Sequence, residues 1–287
     1  MDRTAEIRRV LVVTLVLNAL VSGTKIAYGY FSRSVAITSD GFHSLFDGVA
    51  NIAGLIGIYI SSHPPDEAHP YGHRKYETVF AIFVGVLMFI TVFEILKDAY
   101  HALGNTSGVS VTTASFILML STLVVNIFVT TYERRVGERL NSEFLIADSQ
   151  HTMSDIYVTL GVIAGLAFIA LGFPQADPIA GVIVAFFIAR AGTRVIREST
   201  EMLVDRTQVD IAIIKEVACA TQGVVECHGI RTRGTKNNIF IDLHILVNPF
   251  LSVEDSHKIA DAVEQRIKER IPEVVDVVVH IEPSPGP

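Results

Sequence analysis

Residues 39–47 read Ser-Asp-Gly-Phe-His-Ser-Leu-Phe-Asp and lie inside an otherwise apolar run. The same order of Asp, His and Asp returns in residues 148–155, Asp-Ser-Gln-His-Thr-Met-Ser-Asp, with an offset of 108 residues at all three positions. In each copy a histidine precedes an aspartate by four residues, which places both side chains on one face of a helix. The two pairs are His43 with Asp47 and His151 with Asp155. Two such helices in contact would offer two imidazoles and two carboxylates, a ligand set that suits a divalent first-row cation, zinc above all.

The composition indicates that these helices lie in a membrane. Of 287 residues, 50% are hydrophobic and only 18% are charged, and the mean hydropathy is +0.44, which is too apolar for an ordinary soluble domain. Ionisable side chains inside hydrocarbon are costly and usually serve a function. Cys219 and Cys227 are the two cysteines and form no CxxC motif, so no disulfide framework is expected.

Six apolar stretches are each near or above the ~20 residues that a helix needs to cross the hydrocarbon. They lie near residues 9–31, 35–61, 78–99, 111–132, 144–172 and 178–196. Arginine and lysine concentrate before the first stretch and after the second, fourth and sixth. The positive-inside rule therefore predicts a multi-pass protein with both termini in the cytoplasm. In this topology the two His/Asp pairs can meet near the centre of the bilayer.

The loop after the second stretch carries a further candidate metal site. Asp66, His69 and His73 fall within eight residues, among prolines and a glycine that shape the chain into turns. One carboxylate and two imidazoles leave a fourth coordination position for water or a neighbour. His63 could substitute for one of them, and the alternative is a polar cap on a helix end.

Residues 205–287 have the pattern of a soluble α+β domain. We predict helices near 208–220 and 252–270 and strands near 224–233, 239–248 and 274–282, in the order αββαβ of a ferredoxin-like sandwich. Alternation places Ile239, Ile241, Leu243, Ile245 and Val247 on one face of the middle strand. Ile211, Ile214, Val217 and Ala218 are expected to face inward on the first helix.

With these motifs the chain resembles the cation diffusion facilitator family, metal/proton antiporters with six spans and a cytosolic ferredoxin-like domain. The resemblance rests on the two HxxxD helices and on residues 66–77, Asp-Glu-Ala-His-Pro-Tyr-Gly-His-Arg-Lys-Tyr-Glu. It implies a transport site of His43, Asp47, His151 and Asp155 in a domain of residues 1–204. It also implies a second metal site of Asp66, His69 and His73, and a homodimer formed through residues 205–287.

The resemblance further implies metal ligands in the cytosolic domain. The positions that look like them are His228, His244, His257, His280 and Glu282. His280 and Glu282 are two residues apart and so share one face of the last strand. Cys227 points to the opposite face from its neighbour His228, so core packing is its expected role.

These observations predict a transporter, not an enzyme, that exports Zn²⁺ from the cytoplasm in exchange for protons, in a bacterial plasma membrane and among its lipids, with no nucleic-acid partner. A membrane zinc hydrolase would need a general base such as that of HExxH, and neither motif has one. A sensor or scaffold that binds metal without moving it remains the alternative. Fe²⁺, Cd²⁺, Co²⁺ and Mn²⁺ are alternative substrates, because the general order of metal affinities for such ligands does not by itself determine which metal a site selects. Asp40 and Asp148, which repeat with the motif, could orient the histidines or make the pathway polar.

Overall fold

The computed structural model describes residues 3–32, 35–104, 113–170 and 176–285. Side chains in several stretches near helix ends, those of residues 35–47 among them, lie outside the described part. The chain divides into two compact units, Met1–Thr200 and Glu201–Pro287.

Six long helices make up the described part of the first unit. They are α1 (Arg3–Ser32), α2 (Val35–Ser61), α3 (Lys75–Gly104), α4 (Thr113–Leu140), α5 (Glu143–Ala170) and α6 (Ala176–Leu203). Helices α1 and α2 pack side by side, as do α4 and α5, and α3 contacts both α2 and α5. Helix α4 continues to Leu140, well beyond the apolar stretch that predicted it, because helical hydrogen bonds do not require apolar side chains.

The surface of this unit carries many large apolar side chains, and several polar side chains lie between its helices. Phe93, Phe128 and Phe186 are exposed, whereas Asn51, Glu133 and other polar side chains are buried between helices. Many exposed large apolar side chains, together with polar side chains buried between the helices, suit a lipid environment. Among the described residues, the two helical segments long and apolar enough to cross a membrane are Arg3–Tyr28 and Lys75–His101. The count of six spans therefore stays a prediction.

The second unit has the predicted order αββαβ. Its elements are α7 (Ile211–Cys219), β1 (Val224–Thr235), β2 (Asn238–Val247), α8 (Val253–Arg270) and β3 (Val274–Pro283). Strand β2 is central, antiparallel to β1 and parallel to β3. The last strand joins the sheet through the α8 crossover, as a parallel connection requires.

One face of the sheet is covered by the two helices. The five alternating aliphatic residues of β2 predicted to face inward are all buried, and they pack with Ala218 of α7 and with Val263 and Ile267 of α8. Ile211, however, is exposed, so its predicted inward position was wrong. Helix α7 starts there because the Asp210 side chain accepts a hydrogen bond from the Ala212 N–H and caps the first turn.

Candidate metal sites

Helices α2 and α5 carry the two predicted halves of the transport site. His43 and Asp47 fall on α2, but their side chains lie outside the described part. On α5, His151 is buried and Asp155, one turn further along, is partly buried. Helix α5 packs against α2, so the two halves belong to adjacent helices.

The predicted loop residues lie together at the end of α2. Asp66 Oδ1 accepts a hydrogen bond from the backbone N–H of His69 at 2.6 Å and lies 3.2 Å from His69 Nδ1. Asp66 Oδ2 lies 3.5 Å from His73 Nε2. Ligand atoms of tetrahedral zinc, each about 2.0–2.1 Å from the metal, are themselves about 3.3 Å apart. The donor atoms of the three side chains all lie within 4.8 Å of one another, so small adjustments would let them share one ion.

Two local contacts prepare these side chains. The Pro64 carbonyl lies 3.2 Å from His73 Nδ1, and because a carbonyl only accepts, this contact engages Nδ1 and leaves Nε2 as the nitrogen that can bind a metal beside Asp66. The His69 backbone N–H, followed by contacts with both imidazoles, lowers the pKa of Asp66 below its usual value. His63 Nδ1 lies 2.9 Å from the Tyr59 carbonyl near the end of α2, and among the described residues the donor atoms that lie within 4.8 Å of one another are those of Asp66, His69 and His73, without His63.

A second cluster lies on the face of the sheet that the helices leave uncovered. His228 on β1 pairs with His244 on β2, and β3 brings Glu282 beside them. Glu282 Oε1 is 2.7 Å from His244 Nδ1, and its Oε2 is 3.3 Å from His228 Nε2. His280 is at the edge of this cluster, with Nε2 3.7 Å from Glu282 Oε1. The hydrogen bond with His244 is the largest cause that lowers the pKa of Glu282, and the charges of the neighbouring imidazoles add to it.

The structure does not bring His257 into this cluster. It lies exposed on α8, with Nε2 3.7 Å from Asp261 Oδ1, and α8 covers the opposite face of the sheet. Within one chain, the fifth residue predicted for the cytosolic site is thus separated from the other four by the sheet itself.

One group of polar residues in the helical unit was not predicted as a site. Asn51 of α2 donates from Nδ2 to Asp148 Oδ2 at 2.8 Å, and Asn18 of α1 donates to Asn51 Oδ1 at 2.9 Å. Glu133 of α4 is fully buried and faces Asp148. The sequence offered a signal for Asn51, a polar residue that follows Asp47 by four positions and so lies on the same face of α2. Glu133 gave none, since it precedes Arg134 and Arg135 and resembles an ordinary charged helix end.

Comparison with known proteins decides the family. The cation efflux transmembrane domain matches residues 11–204, and the cytoplasmic domain of cation efflux proteins matches residues 207–284. The chain belongs to the cation diffusion facilitator family. This is a family of membrane transporters of divalent metal cations, not of enzymes. The prediction of a helical membrane domain followed by a ferredoxin-like cytoplasmic domain is thereby confirmed.

Individual relatives align over most of the chain. An uncharacterized transporter of Methanocaldococcus jannaschii is 33% identical over 279 residues, 96% of this chain and 98% of that protein. Metal tolerance protein C1 of Arabidopsis thaliana is 30% identical over 284 residues, 92% of this chain and 60% of that longer protein. The manganese efflux system protein MneS of Bacillus subtilis is 27% identical over 273 residues, 94% of this chain and 93% of that protein.

Proposed function

We propose that this facilitator exports Zn²⁺ from the cytoplasm across the plasma membrane in exchange for protons, with His43, Asp47, His151 and Asp155 as the transport site. The observation that carries the proposal is the burial of His151 in α5, on the same helix face as Asp155, inside a bundle whose outer surface is apolar. A buried ionisable pair in such a bundle is costly unless it binds something.

Charge balance explains the exchange. Zn²⁺ with two carboxylates and two neutral imidazoles is electroneutral and can reside in a medium of low dielectric constant. When the metal leaves, two carboxylates remain without a counter-charge, at a cost of several kcal/mol each. Protons remove this cost, and because metal binding requires deprotonated ligands, metal and protons compete for one site. Alternating access to the site then couples their movements in opposite directions.

The two remaining clusters are proposed as accessory sites on the cytoplasmic side. Asp66, His69 and His73 would collect metal at the loop between α2 and α3, and His228, His244, His280 and Glu282 would bind it in the cytoplasmic domain. His257 would take part only across the interface of a homodimer, which we propose forms through residues 205–287 while residues 1–204 move the ion. Mixed nitrogen and oxygen ligands in both clusters support a zinc-type metal.

Manganese is the second candidate substrate. MneS of Bacillus subtilis, which aligns with 94% of this chain, is named as a manganese efflux protein. Imidazole and carboxylate ligands together also accept Mn²⁺, although less tightly than Zn²⁺ in the usual affinity order. Fe²⁺, Co²⁺ and Cd²⁺ fit the same ligand set. A sensor or scaffold would bind these metals without transporting them.

The test is zinc-driven proton flux in proteoliposomes that contain a pH-sensitive dye. We expect flux with the unmodified chain, none with Asp155→Ala, and normal flux with Glu138→Gln, a control that removes an exposed carboxylate from α4. Zinc binding without proton movement would exclude zinc/proton antiport, and Mn²⁺, Fe²⁺, Co²⁺ and Cd²⁺ would then be assayed in turn. If none of them moved, the sensor or scaffold function would replace the proposal.

A further inference from the structure

Glu133 is the one carboxylate among the described residues that is wholly buried with neither oxygen in a hydrogen bond of normal geometry. The groups that face it are the Thr14 hydroxyl of α1 and the Asp148 carboxylate of α5. Neither neighbour brings a positive charge. Two carboxylates that share a buried space repel each other unless a cation or a proton lies between them.

Asp148 is held in place from the other side. It is buried, and Asn51 Nδ2 donates to its Oδ2 at 2.8 Å, while the same amide group lies 3.4 Å from Thr14 Oγ1. Asn18 in turn fixes the Asn51 amide at 2.9 Å. The carboxylate is therefore oriented by an amide network from α1 and α2, and such support is typical of ligands whose position matters.

A second buried polar group, the hydroxyl of Thr130, lies on the same face of α4 as Glu133. Thr130 precedes Glu133 by three residues, so the two share a helix face. Its hydroxyl is buried and, like the carboxylate, has no hydrogen-bond partner among the residues that the structure describes. Two buried oxygen groups that form no hydrogen bond of normal geometry therefore lie one turn apart on this face of α4, and both are atoms that a cation could take as ligands.

The position of this space relates it to the transport motif. Asn51 follows Asp47 by one helical turn, and Asp148 precedes His151 by about one turn. Both steps lead toward the end of the bundle that the distribution of basic residues assigns to the cytoplasm. An ion that moves from the cytoplasm toward the four predicted ligands would meet Glu133 and Asp148 first.

We propose that Glu133 and Asp148, with the Thr14 and Thr130 hydroxyls, form a second divalent-cation site inside the membrane domain, the inner site, which takes the ion before it reaches the transport site. The inner site rests on the proposed transport function for its role, but its binding is a separate property. All its ligands are oxygen atoms, so it accepts hard cations such as Mn²⁺ readily and discriminates less sharply for zinc than imidazole ligands do. Metal selection then belongs to the histidines one turn further along the path.

The test measures Mn²⁺ binding by the full-length chain in detergent. Electron paramagnetic resonance detects the binding as a loss of the signal of free Mn²⁺. The background carries Asp155→Ala, Asp66→Asn and Glu282→Gln, which disable the three sites already proposed. We expect this background to keep one bound Mn²⁺, and the addition of Glu133→Gln to weaken it by about tenfold or more. Glu138→Gln, on the same helix but exposed and paired with Arg134, should leave it unchanged.

Other outcomes overturn the inner site without touching the transport proposal. A background that binds no Mn²⁺, or one in which Glu133→Gln changes nothing, means that the pair holds only a proton. Thermal unfolding of Glu133→Gln guards against misfolding, because neutralising one of two facing carboxylates should leave the melting temperature the same or raise it. The flux assay on the unmodified chain and on Asp155→Ala tests the transport site alone. Failure of the transport proposal can therefore be distinguished from failure of the inner site.

Discussion

His244 and Glu282 lie 38 positions apart in the sequence, yet the parallel pairing of β2 with β3 brings Nδ1 and Oε1 to 2.7 Å. The contact is on the face of the sheet opposite to the one that α7 and α8 cover. Gly229 contributes from β1: it adopts a φ of +63°, and a Cβ at this position would lie 3.0 Å from the His244 ring. A glycine at this irregularity of β1 thus adopts the positive φ without strain and leaves room for the imidazole.

From this geometry we expect Glu282→Gln to remove one zinc ion per chain from the full-length protein. The amide keeps the size of the side chain but loses the negative charge that two imidazoles face, and amides are poor zinc ligands. Metal content after dialysis against zinc gives the measurement. Asp261→Asn is the matched control because Asp261 lies beside His257 on α8. If Asp261→Asn also removes an ion, the fifth histidine binds zinc after all.

In the loop, Asp66→Asn should reduce zinc uptake into proteoliposomes by about tenfold while the fold stays intact. Asparagine can still accept the hydrogen bond from the His69 N–H through Oδ1, so the turn survives and only the charge is lost. Initial rates at low zinc concentration give the comparison. Glu67→Gln changes the neighbouring exposed carboxylate and should leave the rate unaltered. Equal losses in both variants would point to general surface charge instead of a metal site.

The sequence predicted the loop cluster better than the cluster on the sheet. Asp66, His69 and His73 are local, so spacing within eight residues and the turn-forming prolines were enough to place them together. Pairing of His228 with His244 depends on strand register, which β1 changes at two irregularities, and no local pattern records a register. His257 was grouped with these residues through the family resemblance, and no local sequence pattern shows which face of the sheet α8 covers.

Which charged residues of the helical unit are buried could also not be predicted from the sequence. Glu133 and the exposed Glu138 stand five residues apart in the same charged stretch, and only the packing of α4 against its neighbours separates their environments. By contrast, the αββαβ order followed from strict alternation in β2 and from the apolar stripe of α8, because strand and helix periods differ enough to be read directly.

Glu77→Ala should lower the free energy of unfolding by about 2 kcal/mol, less than for a fully buried pair because Arg3 keeps some contact with water. Glu77 receives a hydrogen bond from Ser142 and an ion pair from Arg3 at 3.0 Å, and Arg3 also donates to the Leu140 carbonyl at 2.9 Å. These bonds tie the start of α1 to α3 and to the α4–α5 turn.

Chemical unfolding in detergent gives the size of this effect. Arg134→Ala breaks the exposed pair with Glu138 and should change stability by less than about 0.5 kcal/mol. A Glu77→Ala protein as stable as the unmodified chain would mean that water replaces the carboxylate without loss, and that the three-way contact around Arg3 is not a structural tie.

The two cysteines should differ sharply toward maleimide reagents. Cys219 is exposed and should react in the folded chain, whereas Cys227 is buried and should react only after unfolding. Burial raises the pKa of the Cys227 thiol to about 11, so the thiolate is scarce at neutral pH. Mass spectrometry of labelled peptides, with and without denaturant, gives the answer. Rapid labelling of Cys227 in the native chain would contradict the packing of β1.

The same thiol gives a pH dependence. Its pKa is higher in the folded chain than the ordinary value of about 8.5 in an unfolded one, so the unfolded chain loses the proton first as pH rises. Its contribution to stability is complete below about pH 8.5 and is lost as pH rises toward 11. Cys227→Ala should flatten this part of the stability curve. An identical slope in both proteins would assign it to other groups.

Gly54→Ala should destabilise the helical unit by about 1–3 kcal/mol. A Cβ at Gly54 would overlap Cε1 of Phe144, a fully buried ring of α5 that packs against α2 at this point. Thermal unfolding measures the loss, and Phe144→Leu in the same chain should restore part of it. Gly23→Ala is the control, since no described atom lies within 4 Å of a Cβ there. Equal effects of the two alanines would show that backbone freedom, not contact, matters.

The close packing of Gly54 against Phe144 also provides a point about which α2 could pivot. His43 and Asp47 lie on one arm, seven or more residues above Gly54, and the arm below ends at the loop that holds Asp66. At 1.5 Å per residue, each of these two segments of α2 is about 10–15 Å long. A tilt of about 5° about Gly54 would therefore move both ends by about 1 Å in opposite directions. Any movement of the loop that tilts α2 about this point would therefore move the proposed ligands His43 and Asp47 in the opposite direction.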